Sequence, residues 1–114
     1  MKYLKEYDIN SRKMECKKIL LKHPDKIPII VEKNDSCELN EINKKKYLGP
    51  NDMPFNQFIY IIRKRINLES SKSLFIMINN KLIPSNKTLG EIYDDEKNED
   101  GFLYMIYTSE NTFG

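Results

Sequence analysis

The sequence of 114 residues predicts an α+β fold in which one main helix crosses a mixed four-stranded sheet. Three observations carry this prediction. Apolar side chains recur at intervals of three and four over residues 55–66, as they do in an amphipathic helix. Residues 74–78 and 102–107 are apolar at nearly every position, which is typical of strands buried on both faces. A β-branched run at 27–32 predicts a further strand ahead of the helix.

The first 24 residues predict two additional helices. Residues 2–7 are expected to form one short helical turn. Asn10 or Ser11 is expected to cap a longer helix, which Pro24 ends. Its apolar face would carry Met14, Ile19 and Leu20, and its basic face Arg12, Lys13, Lys17 and Lys18. Such a helix could touch a membrane surface, although helices of this kind more often pack on their own domain.

The next segment predicts a hairpin with an exposed edge. Pro28 is acceptable near the start of the first strand. A polar loop leads to a second strand at Lys45–Leu48, which the Gly49-Pro50 pair is expected to end. A short strand rich in lysine is typical of a sheet edge. Such an edge can admit an extended acidic peptide, so this segment predicts an interaction module with a docking edge.

The main helix and a second hairpin follow. Asn51-Asp52 is expected to cap the helix, with Pro54 in its first turn. The basic residues at 63–65 lie mostly off the apolar stripe and are interpreted as a solvated face. After the strand at 74–78, Asn79-Asn80 predicts a turn into a short return strand at 81–83.

The order of these elements completes the fold prediction. Thr88 and Glu91 predict a capping box for a brief helical turn that ends near Tyr93, ahead of an acidic loop. From residue 27 onward, the order hairpin–helix–hairpin–strand is that of a β-grasp sheet. Its two central strands would be the first and last, or the last and third.

Charge and hydropathy narrow the class of protein. The net charge of +2 is too small to indicate nucleic-acid binding by itself. Residues 1–22 hold seven basic and three acidic residues, whereas residues 91–100 hold six acidic residues and one lysine, so one basic and one acidic face are expected. No apolar run approaches the length of a membrane span, and the N-terminus lacks the apolar core of a signal peptide. A cytosolic protein is predicted.

No catalytic residue, cofactor site or metal-ligand spacing is predicted, so the chain is interpreted as not an enzyme. The single histidine, His23, precedes a proline. Cys16 and Cys37 form no C-x-x-C pair; two buried thiols are the favoured interpretation, with a disulfide or a catalytic thiol as the alternative. Nucleic-acid binding would rest on the lysines at 44–46 and the basic residues at 63–65, and the acidic segment argues against it.

Several motifs in register resemble one known family. They are Lys22-x-Pro24-Asp25-Lys26-Ile27-Pro28-Ile29-Ile30-Val31-Glu32-Lys33, Lys44-Lys45-Lys46-Tyr47-Leu48-x-Pro50, Ile62-Arg63-Lys64-Arg65-Ile66 and Asp100-x-Phe102-Leu103-Tyr104. Over nearly the whole chain the sequence resembles the autophagy ubiquitin-like modifiers of the GABARAP and microtubule-associated light-chain-three type. The resemblance implies a ubiquitin-like β-grasp in a single domain over 1–114. Its parts would be an N-terminal helical extension at 1–24, a core at 25–108 and a flexible conjugation tail at 109–114.

The resemblance also implies a function. Gly114 would be activated through a thioester cascade and joined to phosphatidylethanolamine, and a residue without a side chain suits a narrow enzyme channel. Partners would be the activating and conjugating enzymes, a delipidating protease, and receptors and adaptors that carry short linear motifs. The protein would be cytoplasmic, with a lipid-anchored pool on autophagosome-type or other organelle membranes. The alternative is an interaction domain of the same shape that is never conjugated, in which Gly114 is merely where the chain stops.

The family binds an aromatic-x-x-aliphatic motif in a groove, and the resemblance assigns the residues of that groove to positions of this sequence. The resemblance assigns the aromatic pocket to Glu15, Ile19, Pro28, Ile30, Lys46, Leu48 and Phe102. It assigns the aliphatic pocket to Tyr47, Gly49, Pro50, Met53, Phe58, Ile61 and Arg65. Lys26, Lys44 and Lys46, together with Arg65, would meet acidic residues that flank the motif.

Three departures from the family pattern bear on selectivity. Gly49 replaces a branched aliphatic residue, so the second pocket is expected to be roomier. Lys26 stands where arginine is common, which removes a bidentate donor. The segment 9–12 replaces a more aromatic and acidic pattern, so partners of the first helix are expected to differ.

Overall fold

The computed structural model describes residues 1–109. Predictions that fall on 110–114, including the role of Gly114, lie outside the described residues. The elements in chain order are α1 (Lys2–Glu6), α2 (Ile9–Lys22), β1 (Lys26–Lys33), β2 (Lys46–Pro50), α3 (Phe55–Arg65), β3 (Phe75–Ile78), β4 (Lys81–Leu82), α4 (Leu89–Glu96) and β5 (Leu103–Thr108).

The strands form one mixed sheet in the order β2-β1-β5-β3-β4. β1 and β5 are parallel, and the other neighbouring pairs are antiparallel. The predicted β-grasp fold is confirmed, but the sheet has five strands and not four. The strand left out of that count is β4, the short return strand predicted at 81–83, which pairs with β3 because Asn79 and Asn80 both adopt positive φ, 53° and 63°, as a tight two-residue hairpin requires.

Helices cover both faces of the sheet because β1 and β5 are apolar on both sides. On one face, Ile29 and Val31 of β1 pack in the main core with the apolar stripe of α3 and with α4. On the other face, Ile30 packs with Tyr3 of α1, Cys16 of α2, and the aromatic pair Phe102 and Tyr104. The expectation that the first and last strands are central is therefore confirmed, and β3 is also interior.

Pro28 is compatible with an interior strand because of the register. Pairing of β1 with β5 begins at Ile29, so the missing N–H of Pro28 removes no bond from that ladder. Toward β2, Pro28 faces Leu48. The hydrogen bonding of the sheet is therefore complete although Pro28 has no backbone donor.

Several predicted boundaries were wrong. α2 is capped by Asp8, whose carboxylate accepts from Ser11 N–H at 2.8 Å, and not by Asn10 or Ser11. β2 continues through Gly49-Pro50, since the missing N–H of Pro50 is at the strand's end. α4 continues past Tyr93 to Glu96, whose carboxylate pairs with Lys81 at 2.6 Å.

The start of α3 also differs from the prediction. Its N-cap is Pro54 and no side chain caps it, so Asn51-Asp52 does not serve as the cap. The free N–H groups of the first turn bond instead to a neighbouring loop. Phe55 N–H donates to Lys87 O at 2.8 Å and Asn56 N–H to Ser85 O at 3.2 Å. Long-range backbone bonds thus replace the local cap.

The capping box and the cysteine prediction are confirmed. Thr88 Oγ accepts from Glu91 N–H at 3.2 Å, and the Glu91 carboxylate accepts from Thr88 N–H at 3.0 Å. Cys16 and Cys37 are free and buried.

Candidate functional site

The candidate site begins at the outer edge of β2. Within the described residues, β2 pairs with β1 alone and has no strand on its other side. Val31 N–H donates to Lys45 O at 2.8 Å, and Ile30 faces Lys46 in the register. Hydrogen-bonding direction alternates along an antiparallel strand, so the backbone groups of Lys46 and Leu48 point away from β1. The predicted edge position of this strand is confirmed.

A groove lies between α2 and β2 on the side predicted to take an aromatic residue. It has a volume of about 510 Å³. Glu15, Ile19 and Leu48, three of the predicted lining residues, are joined there by Lys18, Leu21, Lys22 and His23. Leu48 is 40% exposed, so this groove presents an aliphatic side chain directly to solvent beside the free backbone.

The other predicted residues of the aromatic pocket lie next to the groove but are not among the described residues that line it. Ile30 and Phe102 are almost fully buried and belong to the apolar cluster that Ile19 packs against. Pro28 and Leu48 are cross-strand partners, as are Ile30 and Lys46. Three of the seven residues predicted for this pocket therefore line the groove, and the other four are their neighbours in the sheet and in the buried cluster against which Ile19 packs.

Lys46 is held across this pocket by a small polar network. Its ammonium group pairs with the Glu15 carboxylate and lies 5.2 Å from the centre of the Tyr3 ring. Tyr3 Oη also donates to Glu15 Oε2, at 2.6 Å. Burial alone would raise the pKa of Glu15, but the hydrogen bonds from Lys46 and Tyr3 outweigh it and hold that pKa below its usual range. Glu15 therefore stays ionised and keeps Lys46 beside the groove.

The residues predicted for the aliphatic pocket lie on the opposite side of β2, against α3. The rings of Tyr47 and Phe58 meet edge to face, with centroids 5.6 Å apart. Both are buried, and Met53 packs against the same core. Pro50 and Ile61 are half-buried and Arg65 is exposed, so the rim of this side is more open than its floor.

The expectation that Gly49 enlarges this pocket was wrong. A Cβ at Gly49 would overlap Leu89 Cδ1 and lie 3.5 Å from Ile29 Cδ1. Leu89, the first residue of α4, is fully buried and fills the space that a larger side chain at position 49 would occupy. Gly49 therefore compensates for Leu89 inside the core and does not widen the groove.

Cations surround both sides of the edge. Lys44 Nζ lies 5.1 Å from the centre of the Tyr47 ring, and the charge of Arg65 acts on the Tyr47 hydroxyl. Lys26 is half-buried at the start of β1 and faces Pro50. The predicted rim cations are thus distributed along the edge, where they suit an acidic partner.

Sequence reasoning missed five contributors to this site: Lys18, Leu21, Lys22 and His23 in the groove, and Tyr3 beside it. Lys18 and Lys22 line the groove because they follow Glu15 at helical spacing, a signal that the α2 pattern already contained. Tyr3 of α1 contacts Glu15, which lies 12 residues further along the chain, and no local sequence pattern predicts this contact.

The described residues 1–109 contain no group of three or more His, Cys, Asp or Glu side chains that could hold a metal ion. Within the same range, no helix has the length and apolar character of a bilayer-crossing helix.

A family model described as "Autophagy protein Atg8 ubiquitin like" matches residues 11–114. Among curated relatives, autophagy-related protein 8e of Arabidopsis thaliana is 50% identical over 107 residues, which cover 94% of this chain and 88% of the relative. Autophagy-related protein 8 of Schizosaccharomyces pombe is 47% identical over 109 residues, covering 96% and 90%.

The fold comparison agrees. The crystal structure of Trypanosoma brucei ATG8 superimposes with a TM-score of 0.91 at 39% sequence identity, covering 100% of this chain and 98% of that one.

Proposed function

The chain belongs to the Atg8 family of ubiquitin-like autophagy proteins, and from this premise we propose that it is a modifier conjugated through Gly114 to phosphatidylethanolamine. We further propose that it recruits receptors, adaptors and conjugation enzymes through aromatic-x-x-aliphatic motifs. Proteins of this family act as modifiers and not as enzymes. The single observation that carries the binding proposal is the free edge of β2, with an apolar groove against α2 on one side, the half-buried Met53 and Ile61 on the other, and cations along its rim.

A peptide that adds to β2 as a further strand would bond to the outward backbone groups of Lys46 and Leu48. Its aromatic residue would enter the groove between α2 and β2, above Ile30 and Phe102. Alternate side chains of a strand point to opposite faces, which matches a motif that sends one anchor to each side of the edge. The aliphatic residue would meet the half-buried Met53 and Ile61 beside α3.

The apolar anchors and the rim cations are expected to contribute unequally. Truncation of an anchor contact such as Leu48→Ala should cost about 2 kcal/mol of binding, because the pocket would lose apolar area and admit water. Loss of one exposed rim cation, such as Lys44, should cost less than about 1 kcal/mol. Rim cations instead raise the association rate and fix the register.

The binding proposal is tested by titrating the labelled protein with an acidic peptide that carries the motif and recording amide shifts. Signals of residues 44–50 should move most, and Leu48→Ala should weaken binding. Leu82→Ala is a matched control, since Leu82 is exposed to a similar degree but lies on β4 at the opposite edge. Unchanged signals at 44–50 would remove the groove assignment.

The conjugation proposal is supported by family membership and by the chemistry of glycine at position 114. Incubation with the family's activating and conjugating enzymes, ATP and phosphatidylethanolamine liposomes should give a lipidated product with altered electrophoretic mobility. Gly114→Ala should abolish the product, and a delipidating protease should reverse it. If the wild type is never modified but binds the peptide, the chain is an interaction domain without conjugation.

We propose that the protein is distributed between the cytoplasm and a lipid-anchored pool on autophagosome-type or other organelle membranes. Membrane attachment would come from the lipid alone. Gly114→Ala should therefore remove the membrane-bound fraction in cell fractionation while leaving the soluble fraction intact.

A further inference from the structure

Asp100 is a buried carboxylate outside the set of residues assigned to the groove. It is 3% exposed. Arg12 Nη1 of α2 donates to its Oδ2 at 2.7 Å, and the N–H of Phe102 donates to its Oδ1 at 2.8 Å. The Tyr104 hydroxyl also donates to Oδ2. Asp100 is therefore bonded to a helix, to the backbone before β5 and to a side chain within β5.

A buried carboxylate destabilises the folded protein unless its hydrogen-bond and charge partners are all present. Burying an ionised group costs several kcal/mol in general unless it is paired and hydrogen-bonded. The Arg12 side chain is itself only 11% exposed, and its Nε donates to Tyr7 O at 3.0 Å. Arg12 thus joins the turn between α1 and α2 to the loop that precedes β5.

The loop held in this way carries Phe102, which belongs to the buried cluster that Ile19 of the groove packs against. Asp100 N–H donates to Asn98 Oδ1 at 3.0 Å, and Asn98 N–H donates to Phe102 O at 2.8 Å. Between them, Gly101 has a φ of 97° and a Cβ there would lie 2.6 Å from Cys16 Sγ of α2. The backbone of Phe102 is therefore fixed on both its N–H and its carbonyl sides, against α2.

The Phe102 ring connects this fixed backbone to the groove through its aromatic neighbours. It packs edge to face on Tyr3 at a centroid distance of 5.6 Å and lies 6.2 Å from the Tyr104 ring. Tyr3 in turn bonds to Glu15, which holds Lys46. A displacement of Phe102 would alter both the buried cluster under Ile19 and the polar network at Glu15 and Lys46.

We propose that Asp100, together with Arg12 and Tyr104, is a positioning element for the aromatic pocket and determines how strongly the pocket discriminates an aromatic anchor from a smaller one. This proposal rests on the proposed function. The mechanism is a fixed spacing between α2 and Phe102, so that the groove accepts a flat ring without first having to order the buried cluster that supports Ile19.

The test measures affinities for two acidic peptides, one with the aromatic anchor and one with leucine in its place, in a double-mutant cycle with Asp100→Asn. The asparagine Oδ1 can still accept from Phe102 N–H, but it lacks the charge that Arg12 requires. Affinity for the aromatic peptide should fall about tenfold, while affinity for the leucine peptide falls less than about twofold. A purely structural role would weaken both peptides by the same factor.

Two further variants keep the test decisive. Tyr104→Phe removes one hydrogen bond to Asp100 and keeps the ring, so it should remain folded and reduce the discrimination about threefold. Glu96→Gln is the matched control, because Glu96 is likewise a carboxylate with an ion pair and a further hydrogen bond, from Lys81 and Asn79, but at the opposite edge of the sheet. It should leave both affinities unchanged.

The outcomes separate the two proposals. If the wild type binds neither peptide, the proposed function fails and this inference fails with it. If the wild type binds and the discrimination survives Asp100→Asn or Tyr104→Phe in a folded variant, this inference alone is overturned.

Discussion

Tyr47 buries a hydroxyl for which the structure, over residues 1–109, offers no hydrogen-bond partner. Burial raises the pKa of this phenol, with the charge of Arg65 acting in the opposite direction. The hydroxyl therefore stays protonated, and its desolvation is not offset by a bond. The ring, by contrast, stabilises the core through its edge-to-face contact with Phe58.

Tyr47→Phe should raise the free energy of unfolding by about 1 kcal/mol, because it removes an unsatisfied polar group and keeps the ring. Tyr93→Phe is the matched control. The Tyr93 hydroxyl donates to Gly101 O at 2.6 Å, so its removal should lower stability by about 1 kcal/mol. Urea denaturation measures both, and a loss of stability in Tyr47→Phe would contradict this reasoning.

Gly49 and Leu89 should behave as a coupled pair. Gly49→Val alone forces Leu89 out of its place and should cost about 1–3 kcal/mol. Leu89→Ala alone leaves a cavity and should cost about 2–5 kcal/mol. In the double variant the valine occupies part of that cavity, so the two losses should be clearly less than additive. Additive losses in a denaturation cycle would show that the two sites do not share this space.

These two residues also show the limit of sequence reasoning at this scale. The role of Gly49 was predicted from what other family members carry at the position. Its actual neighbour is 40 positions away in the chain, at the start of α4. In a core, a small side chain at one position can be compensated by a larger side chain that is distant in sequence. The residue type at a single position therefore does not show which neighbour fills the space beside it.

At the scale of helices, the α2 cap gives the stability a defined dependence on pH. The hydrogen bond from Ser11 N–H is the main cause that lowers the pKa of Asp8 in the folded protein. A carboxyl whose folded-state pKa is depressed stabilises the protein above its unfolded-state pKa. That contribution is lost as the pH falls through the folded-state value.

Asp8→Ala should therefore destabilise the protein at neutral pH, and the difference from the wild type should shrink below about pH 4. Asp8→Ser is the control, since serine caps a helix without titrating and should keep its contribution in acid. Urea midpoints recorded from neutral to acidic pH measure this. A difference between Asp8→Ala and the wild type that is constant over the whole range would rule out the ionised cap.

The types and order of the elements were predictable, whereas several of their ends were not. Periodicity identified α3, and apolar runs identified β3 and β5, because both signals are local and extend over many residues. The ends depend on single bonds. α3 begins at Phe55 because a loop 30 residues downstream supplies carbonyls, and β2 includes Pro50 because that residue ends an edge strand. Three of the residues predicted for the aromatic pocket line the groove, whereas the contact of Glu15 with α1 and that of Gly49 with α4 were not predicted.

For the whole molecule, the cations along the β2 edge predict a salt-dependent association. The association rate of an acidic-flanked peptide should fall steeply between about 0.1 M and 1 M salt, because the Debye length shrinks from about 10 Å to about 3 Å. Its dissociation rate should change little. The same peptide with serines in place of its acidic flanks is the control and should associate at nearly the same rate throughout. Stopped-flow fluorescence measures both rates, and identical salt dependence of the two peptides would exclude steering by the rim.

The place of β5 in the sheet has a consequence for how the protein matures on the ribosome. The hairpin of β1 and β2 and the hairpin of β3 and β4 each close within a short stretch of chain, yet neither pairs with the other. Within the described residues 1–109, only 103–108 join them, and these are translated after both. Until β5 leaves the ribosome, the two hairpins of the nascent chain cannot be joined into one sheet, and the apolar edges that face β5 stay exposed. Chaperones that bind exposed apolar surface would have their main role in that interval.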